Sequence, residues 1–129
     1  MDKNQLFEDL GNRLKDENLS ARELSQLITS SLPKLYENIL GQDKSYVIKR
    51  SGMLEEYQCE KFQSSLARAS DETNQPLGSG ELNVLCSEVS RQAAQMGTVI
   101  YTWQLRDLIL EILYKNKYYE VYKSYKNAR

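Results

Sequence analysis

The stretch that decides the fold is residues 46–62, which read YVIKRSGMLEEYQCEKF. Apolar and polar side chains alternate on both sides of Ser51-Gly52, a pattern typical of two short strands joined by a turn. We therefore predict a hairpin with a two-residue loop, in which Val47 and Lys49 share one face. From Cys59 onward the apolar period changes to that of a helix, so the hairpin runs directly into a helix.

The residues before the hairpin show helical periodicity instead. Apolar residues recur at helical spacing in two groups: Leu6, Phe7, Leu10 and Leu14, then Leu24, Leu27, Ile28 and Leu32. Ser20 and Glu23 have the spacing of a capping box, and Gly41 suits a helix end. Pro33 removes a backbone donor and is expected to kink or break the second helix. We predict an N-terminal extension of two or three amphipathic helices over residues 1–44.

The residues after the hairpin complete a compact domain over residues 45–129. A loop is expected over residues 70–80, then a helix that ends at Gly97, and a third strand over residues 98–101. Thr102 is suited to cap a further helix, and a tyrosine-rich helix closes the chain. We predict an α+β fold with a small three-stranded antiparallel sheet and about four helices, preceded by the N-terminal helices.

Composition bounds the class of protein. The chain has 129 residues, a formal net charge of −1 and no histidine, so general nucleic-acid binding by overall charge is not expected. No segment has the ~20 apolar residues that a membrane span needs, and no signal peptide follows Met1. Cys59 and Cys86 are interpreted as buried, free thiols, and without a CxxC pair a zinc site is not expected. We predict a soluble, cytoplasmic protein.

The sequence lacks the familiar arrangements of catalytic residues. Without histidine there is no Ser-His-Asp or Cys-His set, and neither a Walker loop nor a GxGxxG fingerprint occurs. Glu55-Glu56 and Asp71-Glu72 are adjacent in sequence, and neighbours in an extended segment point to opposite faces. Neither pair forms a general acid and base couple, so we predict that the protein is not an enzyme.

The hairpin carries an unusual concentration of charge. Lys49 and Arg50 lie at its turn, and Lys61 lies in the first turn of the following helix, where free backbone N–H groups favour an anion. Glu55 is an acceptor on the second strand and suits an exocyclic amine such as that of adenine. Exposed lysines on a hairpin are more often merely solvated, so the spacing by itself leaves both interpretations open.

Order and spacing of the motifs resemble the ATP-cone, a regulatory nucleotide-binding domain of ribonucleotide reductases and of the repressor of their genes. The resemblance rests on Val-Ile-Lys-Arg-Ser-Gly, on Glu55 and Tyr57, and on the Glu-Lys-Phe of residues 60–62. It continues with Val99, with Tyr101-Thr102 and with the aromatic run of residues 118–125. About residues 45–127 are covered, ahead of which the N-terminal helices have no counterpart in the pattern.

The resemblance implies a nucleotide site and a role for each of its residues. Val47, Glu55 and Gln58 surround the base, while Lys49, Arg50 and Lys61 contact the phosphates and the ribose. Thr102 and Arg106, one helical turn apart, close the site from the other side, and Lys126 adds a phosphate contact. The full implied set is Val47, Lys49, Arg50, Glu55, Gln58, Lys61, Thr102, Arg106 and Lys126.

The same resemblance implies a ligand for the site and a partner to which the bound state is transmitted. ATP or dATP is the effector, with Mg²⁺ on the triphosphate and no metal ligand from the protein. The bound state is passed on through homo-oligomerisation or through contact with a separately encoded ribonucleotide reductase subunit. Nucleic acid and membrane are not expected partners.

Two alternatives stay open at the level of sequence. Ser51, Gln58 and Glu120 depart from the family pattern, so the chain is also consistent with a protein-interaction module whose degenerate cone no longer binds nucleotide. The tyrosines and lysines of the last helix are also consistent with a single-stranded nucleic-acid binder. Tyr118, Tyr122 and Tyr125 have the spacing of a core-facing stripe, which favours packing over stacking on bases.

Overall fold

A computed structural model describes residues 2–128 and divides the chain into two compact units, the first ending at Leu35 and the second beginning at Tyr36. In chain order the elements are α1 (Lys3–Asp16), α2 (Ala21–Leu40), β1 (Tyr46–Ile48), β2 (Leu54–Glu56), α3 (Cys59–Asp71), α4 (Ser79–Met96), β3 (Val99–Tyr101), α5 (Thr102–Lys115) and α6 (Tyr119–Asn127). The predicted α+β class is therefore confirmed.

The first unit is built by local signals. The Asp2 carboxylate caps α1 by accepting from the Asn4 N–H at 2.9 Å. Ser20 and Glu23 form the predicted capping box: Ser20 Oγ accepts from the Glu23 N–H at 3.1 Å, and Glu23 Oε1 accepts from the Ser20 N–H at 3.4 Å. Pro33 lies inside α2 and does not end it, so the predicted break is absent.

The hairpin of the second unit has a longer loop than the sequence predicted. The Lys49 N–H donates to the Met53 carbonyl and the Gly52 N–H donates to the Lys49 carbonyl, both at 2.8 Å. Arg50, Ser51 and Gly52 therefore form a three-residue loop, and Gly52 has φ of 89°. Such loops end on a residue in the left-handed region, which glycine adopts without a steric penalty.

The sheet is mixed, and the prediction of a purely antiparallel sheet was wrong. Its order is β2-β1-β3, with β1 antiparallel to β2 and parallel to β3. The hairpin turn makes the first pair antiparallel. Because α3 and α4 lie between β2 and β3, the chain crosses over and can return in the same direction as β1.

Four helices pack around one apolar core in the second unit. Each of them contributes fully or almost fully buried side chains, among them Leu66 of α3, Val89 of α4, Leu113 of α5 and Val121 of α6. With α1 and α2, the described residues hold six helices in all. Four of them surround the core, and the other two belong to the N-terminal segment, for which two or three helices were predicted in addition to the figure of about four.

The two cysteines are joined, which overturns the prediction of free thiols. Cys59 and Cys86 form a disulfide with a Cα–Cα distance of 5.7 Å. Both cysteines are partly buried against the core, as predicted for inward-facing positions, but their pairing was not predicted. The bond links the first residue of α3 to the middle of α4.

Over residues 2–128, no helix is long and apolar enough to cross a membrane.

Candidate nucleotide site

The centre of the site is a carboxylate held between two lysines. Glu55 lies opposite Val47 across the β1–β2 pair, so both side chains occupy one face of the sheet. Lys49 Nζ lies 2.9 Å from Glu55 Oε2, and Lys61 Nζ forms an ion pair with Glu55 Oε1. The Glu55 side chain is 26% exposed, whereas both lysines are more than half exposed. We refer to Lys49, Glu55 and Lys61 as the charged triad, which carries a net positive charge.

The start of α5 lies against the end of β1. Thr102 Oγ1 donates to the Ile48 carbonyl at 3.0 Å, and in the parallel pair Ile48 lies opposite Tyr101. The first turn of α5 therefore begins beside the strand residue that precedes Lys49. Thr102 is distant from the hairpin in sequence, and this contact brings it to the C-terminal end of β1, next to the charged triad.

Two further predicted residues flank the triad without making contacts that define a role. Arg50 lies exposed in the hairpin loop, and Gln58 is the N-cap residue of α3. The Gln58 side chain makes no capping hydrogen bond, so the backbone N–H groups in the first turn of α3 are not capped by it. An uncapped helix start next to two lysines is electrostatically suited to an anion.

Arg106 and Lys126 meet at the end of the last helix. Arg106 Nη2 donates to the carbonyls of Lys126 and Ala128, at 2.6 and 3.3 Å. The guanidinium thereby caps the C-terminal carbonyls of α6, where a cation is stabilised by the helix dipole. Lys126 Nζ itself lies 5.6 Å from the centre of the Tyr122 ring. Arg106 and Thr102 are one turn apart on α5, so this second group of residues is joined to the triad through that helix.

Two open grooves lie outside the charged triad. One of about 550 Å³ is lined chiefly by α4 residues, including Glu88 and Arg91, and none of the nine predicted site residues lines it. The other, of about 520 Å³, lies along α5 and α6 and includes Lys126. The Arg91 guanidinium holds the pKa of the Glu88 carboxyl at about 2, by hydrogen bonding, and the pair is a surface ion pair.

Two contacts that hold the start of α3 were not predicted from the sequence. The Tyr57 hydroxyl hydrogen-bonds the Ser90 hydroxyl at 2.8 Å, and Cys59 is bonded to Cys86. Burial raises the pKa of Tyr57 above its ordinary value of 10.0, so the phenol stays protonated. The helical spacing of Cys86 and Ser90, one turn apart on α4, was visible in the sequence but had no partner assigned to it.

In residues 2–128 there is no group of three or more Cys, Asp or Glu side chains placed to ligate a metal ion.

The ATP cone domain family matches residues 45–129 of the chain. The match spans most of the sequence and includes the hairpin, the charged triad and all four core helices. The chain belongs to the ATP-cone family. No curated protein matches the chain.

Membership defines the general role of the protein. ATP cones are regulatory domains that bind ATP or dATP as effectors and are not catalytic. The chain is therefore assigned a regulatory, nucleotide-binding role.

Proposed function

We propose that the second unit senses adenine nucleotides by binding ATP or dATP at the charged triad. The observation that carries the proposal is the pairing of Glu55 with both Lys49 and Lys61 beside the starts of α3 and α5. Two lysines, two helix N-termini and one half-buried carboxylate supply what a triphosphate and an adenine need. The proposed ligands are the nine residues Val47, Lys49, Arg50, Glu55, Gln58, Lys61, Thr102, Arg106 and Lys126.

Binding at the triad is an exchange of partners. In the protein alone, each oxygen of Glu55 is engaged by a lysine. A triphosphate attracts both ammonium groups more strongly than one carboxylate does, because it carries several negative charges. Once Lys49 and Lys61 turn toward phosphate, the Glu55 carboxylate becomes free to accept a hydrogen bond from the exocyclic amine of adenine. Phosphate binding and base recognition are thereby coupled through the triad.

The second wall of the site is α5 together with the end of α6. Thr102 is held close to the hairpin by its bond to the Ile48 carbonyl, and Arg106 follows one turn later. Arg106 is occupied by the carbonyls at the end of α6, so its contact with phosphate requires it to leave or share that position. Lys126 contributes least to the proposal, because its ammonium group lies over the Tyr122 ring and has no contact with the charged triad.

Mg²⁺ accompanies the triphosphate in this proposal. The ion would be held by phosphate oxygens and water, since it accepts few protein ligands when bound with a nucleotide. It would lower the negative charge of the triphosphate and so weaken the attraction between the phosphates and the ammonium groups of Lys49 and Lys61.

The bound state is passed on by a change of assembly. We propose self-association of the chain, or binding to a ribonucleotide reductase subunit in the cytoplasm, as the output. A nucleotide can drive such a change only if it binds one assembly state more tightly than the other. Discrimination of ATP from dATP would enter at this step, through different contacts of the ribose.

A second candidate function is a protein-interaction module with a silent cone. One observation favours it: α1 and α2 contain no fully buried residue, and Leu6, Phe7 and Leu10 are about half exposed or more. A contiguous apolar stripe on exposed helices is typical of a surface that contacts another protein. A nucleic-acid role has less support, since Tyr118, Tyr122 and Tyr125 pack against the core.

Calorimetric titration with ATP and dATP, with and without Mg²⁺, tests the proposed site. Lys49→Ala removes one charge-assisted contact worth about 1.5–3 kcal/mol, so affinity should fall by about 10- to 100-fold. Lys44→Ala is the matched control: Lys44 is also exposed and also pairs with a glutamate of β2, Glu56, but lies outside the triad. Its affinity should stay within twofold of the unmodified protein.

Negligible heat with both nucleotides under every condition would remove the sensor proposal and leave the interaction module. Equal losses for Lys49→Ala and Lys44→Ala would show that nucleotide binds, but by general charge and not at the triad.

A further inference from the structure

We infer that the Cys59–Cys86 disulfide is a redox-controlled clasp that positions the first turn of α3 and so sets the affinity of the nucleotide site. This inference rests on the proposed function, because the first turn of α3 carries Lys61 and follows Gln58. The geometry that points to it is a pair of links between the start of α3 and one face of α4.

The two links are one helical turn apart on α4. Tyr57 is joined to Ser90 by a hydrogen bond of 2.8 Å, and Cys59 is joined to Cys86 by a covalent bond. Residues four apart on a helix lie on the same face, so both links pull the start of α3 onto one strip of α4. Gln58 lies between the two linked residues, and Lys61 follows two residues after the disulfide.

The start of α3 lacks the support that other helices of this chain have. Side-chain oxygens of Asp2, Ser20 and Gln104 accept hydrogen bonds from backbone N–H groups at the starts of α1, α2 and α5. At the start of α3, Gln58 provides no such bond. A helix end without a side-chain cap frays more readily. The disulfide therefore replaces a cap in holding the first turn of α3 in place.

Fraying of this turn acts directly on the charged triad. Lys61 reaches Glu55 from α3, whereas Lys49 and Glu55 reach each other within the hairpin. If the first turn of α3 opens, Lys61 loses its fixed position while Lys49 keeps its own. The site then has to order Lys61 when the nucleotide binds, which lowers affinity because pre-organisation is lost.

The bond is placed where a reductant can reach it. Both cysteines are half-buried, not enclosed, and they lie at the α3–α4 contact on the edge of the core. A dithiol reductant attacks one sulfur as a thiolate and forms a mixed disulfide, and its second thiol then closes to a cyclic disulfide. The Cys59–Cys86 bond breaks, two electrons and two protons pass to the cysteines, and two thiols remain. Reoxidation by a disulfide of the same class reverses each step.

Titration of ATP into the full chain before and after treatment with dithiothreitol tests the clasp. Peptide mass mapping under non-reducing conditions first establishes which state is present. Reduction should weaken ATP binding by about tenfold through loss of pre-organisation. Cys86→Ser leaves Cys59 and all proposed ligands unchanged, and it should bind like the reduced protein with or without reductant.

Hydrogen exchange supplies a readout that does not depend on nucleotide. The amides of residues 63–66 donate to the carbonyls of residues 59–62 and so close the first turn of α3. They should exchange about tenfold faster after reduction, whereas amides of the core helix α5 should not change. Tyr57→Phe removes the other link, and in this variant the effect of reduction on both readouts should be larger.

The outcomes separate the clasp from the sensor. Nucleotide binding that is equal in both redox states, or unchanged exchange at residues 63–66, overturns the clasp and leaves the sensor proposal intact. No nucleotide binding in either state overturns the sensor and with it the control of affinity, while faster exchange on reduction still establishes the positioning of α3. Absence of the Cys59–Cys86 peptide after mild oxidation overturns the inference outright.

Discussion

The two units of this protein are both rich in helix, but different interactions support their helices. The first unit has good caps, a capping box and regular apolar spacing, yet neither α1 nor α2 buries a residue. The second unit has less regular local signals, including an uncapped α3, yet it encloses residues such as Leu113 and Val121 completely. Local signals are sufficient to define helices, whereas a stable unit needs several elements that cover one another's apolar faces.

The comparison also separates the functions proposed for the two units. The second unit offers a charged, ordered edge where three elements meet, which suits a small ligand. The first offers an apolar stripe on α1 and on the part of α2 up to Leu35, which suits another protein. Substitutions in the two units can test this division, and those in the core are expected to have the strongest effect.

Core truncation should affect the two units very differently. Leu113→Ala removes a side chain with no exposed surface and should lower the free energy of unfolding by about 2–5 kcal/mol, because a cavity remains. Leu10→Ala makes the same chemical change at a side chain that is 50% exposed, and the loss should be below about 1 kcal/mol. Urea unfolding followed by circular dichroism measures both. Similar losses for the two variants would contradict the view that only the second unit has a core.

A charge on the apolar stripe of α1 should reduce self-association. Phe7 is 67% exposed beside Leu6 and Leu10, so Phe7→Glu should weaken association of the chain by about tenfold, since a desolvated charge opposes burial. Asn12→Glu adds the same charge on the side of α1 away from the stripe and is the control. Sedimentation velocity over a range of concentrations, with and without ATP, gives the assembly state. A chain that stays monomeric throughout would refute self-association as the output.

Removal of one cap should have a local effect only. Ser20→Ala deletes the hydroxyl that accepts from the Glu23 N–H and should destabilise the start of α2 by about 1 kcal/mol. Amides in the first turn of α2 should then exchange several-fold faster, while the urea midpoint of the second unit stays unchanged. Glu23→Gln keeps an acceptor at the same position and serves as the conservative control. A shift of the main unfolding transition would show that the two units unfold together.

Much of the fold followed from sequence patterns. Alternation over residues 46–57 predicted the hairpin, and the capping box at Ser20 was confirmed in geometry. The four helices of the second unit were also predicted: one after the hairpin, one ending near Gly97, one starting at Thr102 and one closing the chain. These features depend on neighbours within a few residues, which is the range over which a linear pattern carries information.

Two of the errors have a common physical cause. Whether β3 runs parallel or antiparallel to β1 depends on the path of α3 and α4 between them, and short strands of Val, Ile and Tyr have the same pattern in both cases. The pairing of Cys59 with Cys86 depends on the packing of α3 on α4 over a separation of 27 residues. The error at Pro33 has a different, local cause: loss of one backbone donor did not end a helix of 20 residues.

The candidate site shows the same division. Lys49, Glu55 and Lys61 were singled out by sequence, since residue type and spacing mark a charged turn at a helix start. Only the tertiary structure showed that the three meet in ion pairs, that Thr102 reaches the Ile48 carbonyl, and that Arg106 is occupied by the end of α6.

The class of fold, the family and the charged hairpin could be read from residue types at short spacing, because neighbours within a few residues specify each of them. Three features became visible only in the folded structure: the parallel direction of β3, the Cys59–Cys86 disulfide, and the contacts that hold the start of α3 against α4. Those features arise where distant segments pack together, and the free energy that selects among them comes from burial and contacts that no local pattern contains.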